Sequence, residues 1–252
     1  MRRAGDACLA FRPSYILGYA GALDAFARAN RHRAPEFRGL RLKVVVATAE
    51  SFPSSASAAL IGEVLACPAV MEYGAVETGP LAHESAAGRY RVFWRHYHVE
   101  GGKADDVSSG DELLVTSLYP RCMPLVRYRI GDLARWHGDS GEMSQMLEAV
   151  VGRCNESLTL ATGERIHSEV VSHAVKEIPS VHRYQVLQSP DGRLTLKYVA
   201  DALLGSEEAS ELRRRLRLGH PVLGEIAFER VDALTATVAG KTPFVVREES
   251  AP

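Results

Sequence analysis

An α/β fold is predicted for this 252-residue chain, and three observations predict it. Helix-length and strand-length apolar patterns alternate between Ala20 and Glu72, short strands follow as far as Arg129, and a separate run of α+β patterning begins near Asn155. Ala20 to Ala29 places Leu23, Phe26 and Ala27 at helical spacing and ends at the polar Asn30-Arg31-His32-Arg33. The valine-dense stretch Leu42 to Ala47 reads as a buried strand. Ser54 to Leu65 reads as a second helix, and Pro68 to Glu72 as a second strand. This is a βαβ unit, with its loops at the carboxyl ends of the strands, where open α/β sheets bind ligands. Arg89 to Trp94, Glu112 to Ser117 and Val126 to Arg129 continue as strands.

A boundary is expected near Gly152 to Asn155, giving domains 1–154 and 155–252. In the second, the pattern runs strand Ser157 to Leu160, turn Thr162-Gly163, helix Ser168 to Ile178 and strand Val181 to Gln188. The turn Ser189-Pro190-Asp191-Gly192 follows, then strand Arg193 to Ala200, helix Glu207 to Leu218 and strand Glu225 to Val231. About a hundred residues suffice for a small domain with its own core.

The charge balance of 30 basic against 31 acidic side chains leaves no single-sign field for nucleic acid or an anionic membrane. A small-molecule partner is expected instead. Cys8, Cys67, Cys122 and Cys154 are far apart, which speaks against a zinc ribbon or a disulfide framework and for a reducing, cytoplasmic setting. The stretch Tyr15 to Ala27 is too short for a membrane span and is interrupted by Asp24.

Three short motifs stand in a fixed order: Glu72-Tyr73-Gly74-Ala75-Val76-Glu77, then Met123-Pro124-Leu125-Val126-Arg127-Tyr128-Arg129-Ile130-Gly131-Asp132-Leu133, then Val151-Gly152-Arg153. Any one of them is common. In this order they resemble the nucleotide-site motifs of adenylate-forming enzymes, the phenylacetate-CoA ligase branch in particular. The resemblance implies the C-terminal part of such an enzyme's large domain followed by a small α+β lid domain. It implies ATP/AMP, Mg²⁺ and CoA as cofactors, and a small carboxylic acid, aryl or arylacetic by the family's default, as substrate.

The site residues follow from the same resemblance. Glu77 matches the magnesium position, a carboxylate suited to a hard dication shared with phosphate oxygens; it equally fits an ordinary solvated loop glutamate. Asp132 matches the ribose clamp, because an ionised acceptor binds a vicinal diol strongly; the alternative is an ion pair with Arg129 or Arg135. Arg153 matches a second nucleotide contact, or else is a surface arginine. Thr48-Ala49-Glu50 resembles the segment beside the adenine, where the family usually has glycine in the first or second place. Tyr73, with Gly74 and Ala75, stands where a purine would stack, or fills the core below the turn.

Near the end, Gly240-Lys241-Thr242-Pro243-Phe244 resembles the closing motif in which a lysine enters the active site. Lys241 is the expected catalytic cation there, a compact charge able to meet the negative charge developing during acyl-AMP formation. Asn155 takes the place of the usual acidic hinge. Thr162-Gly163-Glu164-Arg165-Ile166 resembles the loop that faces the site in the thioester half-reaction, or is a glycine turn between a strand and a helix. His83, His96 and His98, the last two expected on one strand face, suggest a metal test; Ser85 stands where some members carry cysteine, which argues against zinc.

No Ser/Thr/Gly-rich phosphate loop ending in lysine occurs in these 252 residues. The expectation is therefore the C-terminal half to two-thirds of a ligase, acting as a homodimer or with a complementing chain. The alternatives are a catalytically inactive remnant that binds nucleotide or a partner, and transfer of the activated group to an acceptor other than CoA.

Overall fold

The computed structural model describes residues 1–85, 87–102, 110–119, 122–138, 145–154, 156–160, 162–236 and 242–248. These divide into two compact units, one drawn from residues up to Val151 and one from Gly152 onward.

The first unit opens with α1 (Arg2–Phe11), β1 (Tyr15–Tyr19), α2 (Ala20–Asn30), α3 (Ala34–Arg38), β2 (Val44–Thr48), α4 (Ser57–Leu65) and β3 (Ala69–Ala75). β1, β2 and β3 run parallel, with Tyr15 opposite Val44 and Val46 opposite Val70. One face of this layer is closed: Val45 and Ala47 pack with Leu23, Ala27, Phe37, Ile61, Val64 and Leu65 from the helices. Asp24, which interrupts the early apolar stretch, is buried and paired with Arg28 at 2.7 Å. The expected helix from Ser54 begins instead at Ser57, because Ser54 and Ser57 form a turn of backbone-to-hydroxyl hydrogen bonds ahead of it.

The unit continues with β4 (Gly79–Glu84), β5 (Tyr90–Val92), β6 (Tyr97–Gly102), β7 (Asp111–Ser117), β8 (Tyr128–Trp136) and β9 (Met146–Arg153). All nine strands form one sheet in the order β1-β2-β3-β4-β5-β9-β8-β7-β6. A second core of Leu81, Val92, Val99, Leu113, Val115, Ile130 and Leu147 lies under its antiparallel part. The strand expected over Val126 to Arg129 starts later, at Tyr128, since Arg127 adopts a left-handed backbone (φ 46°) that a strand cannot accommodate.

The second unit comprises a hairpin, β10 (Ser157–Thr159) and β11 (Arg165–His167), then α5 (Glu169–Lys176), β12 (Arg183–Gln188), β13 (Leu194–Val199), α6 (Ser206–Gly219), β14 (Ala227–Arg230) and β15 (Val245–Arg247). The Thr162-Gly163 turn thus joins two strands rather than a strand and a helix. It closes through Gly163 N–H to the Leu160 carbonyl, 2.9 Å. The four-stranded sheet has the order β14-β13-β12-β15. Val171, Val175, Leu196, Leu212, Leu216 and Leu223 are fully buried between it and the two helices. No helix among the described residues is long and apolar enough to cross a membrane.

Candidate active site

The Tyr73-Gly74 turn is built by a tight hairpin. β3 and β4 are antiparallel, and their register shifts between Tyr73 and Gly74. A Cβ on Gly74 would sit 2.4 Å from the Gly79 carbonyl oxygen, so only glycine permits this approach. Thr78 locks the turn from within: Ala75 N–H donates to its Oγ1 at 3.2 Å, and that hydroxyl donates to the Gly79 carbonyl at 2.7 Å. The Tyr97 hydroxyl, itself 2.8 Å from Tyr119 Oη, binds the Thr78 carbonyl from the core side. Glu77 projects from this fixed turn into solvent, with the Tyr128 hydroxyl 3.4 Å from Oε1.

Asp132 reaches its position through a second irregularity. Glu112 pairs with Leu133 and Leu114 with Arg129, so the single residue Leu113 stands opposite Ile130, Gly131 and Asp132. Gly131 (φ 78°) supplies the left-handed backbone this bulge requires. Asp132 is buried in consequence, and the Tyr73 hydroxyl donates to its Oδ2 at 2.7 Å. Residues 59 positions apart are thereby joined, and two motifs of the sequence become one site. Arg129, considered above as a partner of Asp132, makes its ion pair with Glu112.

A carboxylate accepts through two oxygens and about four lone-pair directions. Tyr73 donates to one of them and orients the buried group. Glu77 is a single exposed carboxylate, and among the described residues no three metal-ligating side chains cluster. That donor set suits Mg²⁺, which keeps waters and substrate phosphates as its other ligands.

The remaining expected residues stand elsewhere. Ala49 is left-handed (φ 69°), the conformation for which glycine is the usual occupant. The Glu50 carboxylate accepts the Gly21 N–H at 2.9 Å and so caps the first turn of α2, a favourable place for negative charge. Arg153 belongs to the second unit. Its carbonyl accepts both the Glu156 N–H, 3.1 Å, and an Nε2 contact from buried His167, 3.0 Å; His167 Nδ1 in turn accepts the Glu169 N–H, 3.2 Å. Lys241 and Asn155 lie outside the described residues.

His96 sits in the turn before β6, not on a strand face with His98, and stacks edge-on against Tyr119. His83 packs against Phe93 with ring centroids 5.1 Å apart. Thr78, Tyr97 and Tyr128 were not expected at the site. Only the length of the hairpin hints at Thr78, and the two tyrosines arrive through pairing that no local pattern reveals.

No family model matches the chain, and no curated protein matches it in sequence. Solved structures do match. A 2-hydroxyisobutyryl-CoA ligase, captured in the postadenylation state with an acyl-AMP, superposes with a TM-score of 0.74 at 16% identity, over 98% of this chain and 57% of that one. The chain shares the fold of the matching part of that ligase. An anthranilate-CoA ligase in complex with anthranoyl-AMP gives 0.66 at 15% identity, over 93% and 49% of the two chains. An amide bond synthetase from Marinactinospora thermotolerans gives 0.68 at 19% identity, over 93% and 51%. The chain therefore spans about half the length of these structures.

Proposed function

We propose that this chain is the nucleotide-binding and lid portion of an ATP-dependent, AMP-forming acid ligase. The observation that carries the reading is the Tyr73–Asp132 hydrogen bond, which unites two motifs on one buried carboxylate within a fold shared with acyl-AMP-bound enzymes. The substrate is a small carboxylic acid, aryl or arylacetic as in the phenylacetate-CoA ligase branch. The acceptor is CoA, and the setting is cytoplasmic.

In the first half-reaction a carboxylate oxygen of the acid attacks the α-phosphorus of ATP, and the bond to the bridging oxygen breaks with release of pyrophosphate. Asp132, oriented by Tyr73, holds the ribose and so fixes the α-phosphorus for in-line attack. Arg153 adds a second contact to the nucleotide, and the backbone of Ala49 and Glu50 flanks the adenine. Glu77 is the residue that would hold Mg²⁺, whose chemistry there is charge neutralisation on the phosphates. Lys241 supplies a point charge for the negative charge developing at the acyl-phosphate oxygen. In the second half-reaction the CoA thiolate attacks the acyl carbon and AMP leaves with the bonding pair, the second unit serving as lid.

A second reading takes only what the Tyr73–Asp132 pair supplies, a buried acceptor: the chain binds AMP without turning it over. Calorimetric titration with AMP and acid-dependent ATP–pyrophosphate exchange separate the two. Asp132→Asn should weaken AMP by about 1.5–3 kcal/mol, the range for a hydrogen bond to a charged group. Unchanged affinity removes the ribose role. Exchange that Lys241→Ala abolishes supports the ligase, whereas AMP binding without exchange supports the second reading.

A further inference from the structure

We infer that His167 is a positioning residue for Arg153, a role that rests on the proposal that Arg153 contacts the nucleotide. The Arg153 side chain is exposed, and a long side chain on a loose backbone spreads its guanidinium over many rotamers. Its root must be fixed before the contact can be specific. Here the root is held on both sides. Gly152 before it has φ 148°, a backbone that strains any residue with a Cβ. The Arg153 carbonyl after it receives the Glu156 N–H at 3.1 Å and His167 Nε2 at 3.0 Å, so the peptide plane cannot turn without losing both.

The direction of the histidine bond follows from the other ring nitrogen. A backbone N–H can only donate, and the Glu169 N–H meets Nδ1 at 3.2 Å, so Nδ1 accepts. In the neutral imidazole the proton then sits on Nε2, which donates to the Arg153 carbonyl. The residue is buried, which keeps water from competing for either bond.

Local pairing puts the ring there. His167 lies opposite Ser157 in the β10–β11 hairpin, and the Ser168 N–H donates to the Glu156 carbonyl at 2.9 Å, so the end of β11 runs beside the Arg153–Glu156 turn. Glu169 opens α5, whose first amides have no partner within the helix, and Ser168 ahead of it makes no side-chain cap. A ring that served only α5 would need Nδ1 alone. The second nitrogen is committed to the one carbonyl that belongs to Arg153.

The test is calorimetric titration with AMP, combined with nitrogen chemical shifts of the His167 ring. Arg153→Ala should weaken AMP on the order of 10-fold. His167→Ala should weaken it about fivefold in the native chain and no further in the Arg153→Ala background, since positioning acts only through the guanidinium. His167→Gln, whose amide offers one donor and one acceptor, should restore the affinity. The ring should be protonated at Nε2, and the Glu156 amide should exchange faster in His167→Ala whether or not AMP is present. Equal losses from His167→Ala in both backgrounds overturn the positioning role alone, as does a folded His167→Gln that fails to restore affinity. If Arg153→Ala changes nothing, or AMP does not bind, the nucleotide role of Arg153 falls and the positioning role with it. The ring measurement needs no variant, so it decides even where His167→Ala does not fold: a proton on Nδ1 overturns the inference.

Discussion

The two units bury their sheets in opposite ways. In the second, a four-stranded sheet and two helices enclose one core in which Leu196, Leu212 and Leu216 are fully buried. In the first, the parallel layer is sealed on one face by α2, α3 and α4, while the other shows Tyr15 and Leu17 to solvent. The difference teaches that the Tyr73–Asp132 pair is assembled in the unit whose parallel layer keeps one face toward solvent, and not in the one with the single enclosed core.

Both tryptophans, Trp94 and Trp136, fall in the first unit, so fluorescence follows that unit while far-ultraviolet circular dichroism follows both. The largest contrast is expected from Leu212→Ala, which should cost about 2–5 kcal/mol in the second unit and leave the fluorescence transition in place. Should both transitions move together, the units do not unfold separately. Gly74→Ala should act the other way round. The added methyl meets the Gly79–Pro80 backbone, and about 1–3 kcal/mol is lost from the fluorescence transition alone.

A smaller effect is expected at Ala49, where the left-handed backbone strains any residue with a Cβ. Ala49→Gly should be neutral to about 1 kcal/mol more stable by fluorescence-monitored denaturation, and a loss would show that the alanine methyl contributes packing. The smallest concerns Glu211 on α6. Hydrogen bonds from Arg214 and then Arg215 hold its carboxyl down at about 2, against an ordinary value of 4.5. Because the folded value is depressed, the contribution is present above the ordinary carboxylate range and disappears as the pH falls through about 2. Glu211→Gln should therefore differ from the native chain at neutral pH and converge with it in acid. Both arms are read by the midpoint of the second unit's thermal transition.

Legibility from sequence tracked how local the cause was. The valine run of β2 and the spacing of Leu212 and Leu216 in α6 declare themselves, because burial on one face or both leaves a period in the chain. β15 is three residues long and exists through parallel pairing with β12, some 59 positions away, so nothing nearby marks it. β1 was hidden differently: its alternation runs straight into α2 and reads as one apolar stretch. At the proposed site, motif order pointed to Tyr73 and Asp132, and the structure joins these two by a hydrogen bond. The tie of Tyr97 to Thr78 and the β8 bulge were beyond reach, since register arises from pairing between distant strands.

The bulge at Ile130-Gly131-Asp132 also concerns parity. β7 spends two steps between its flanking pairs and β8 spends four, both even numbers, so the side chains on either side remain in phase. Deleting Gly131 alone would make the count odd and turn one flank of the ladder inside out. Deleting Gly131 and Asp132 together would leave a regular ladder without the carboxylate. Gly131 and Asp132 thus form an even-numbered insertion in a sheet able to close without them, so the proposed ribose-binding carboxylate can be removed without changing the phase of the ladder.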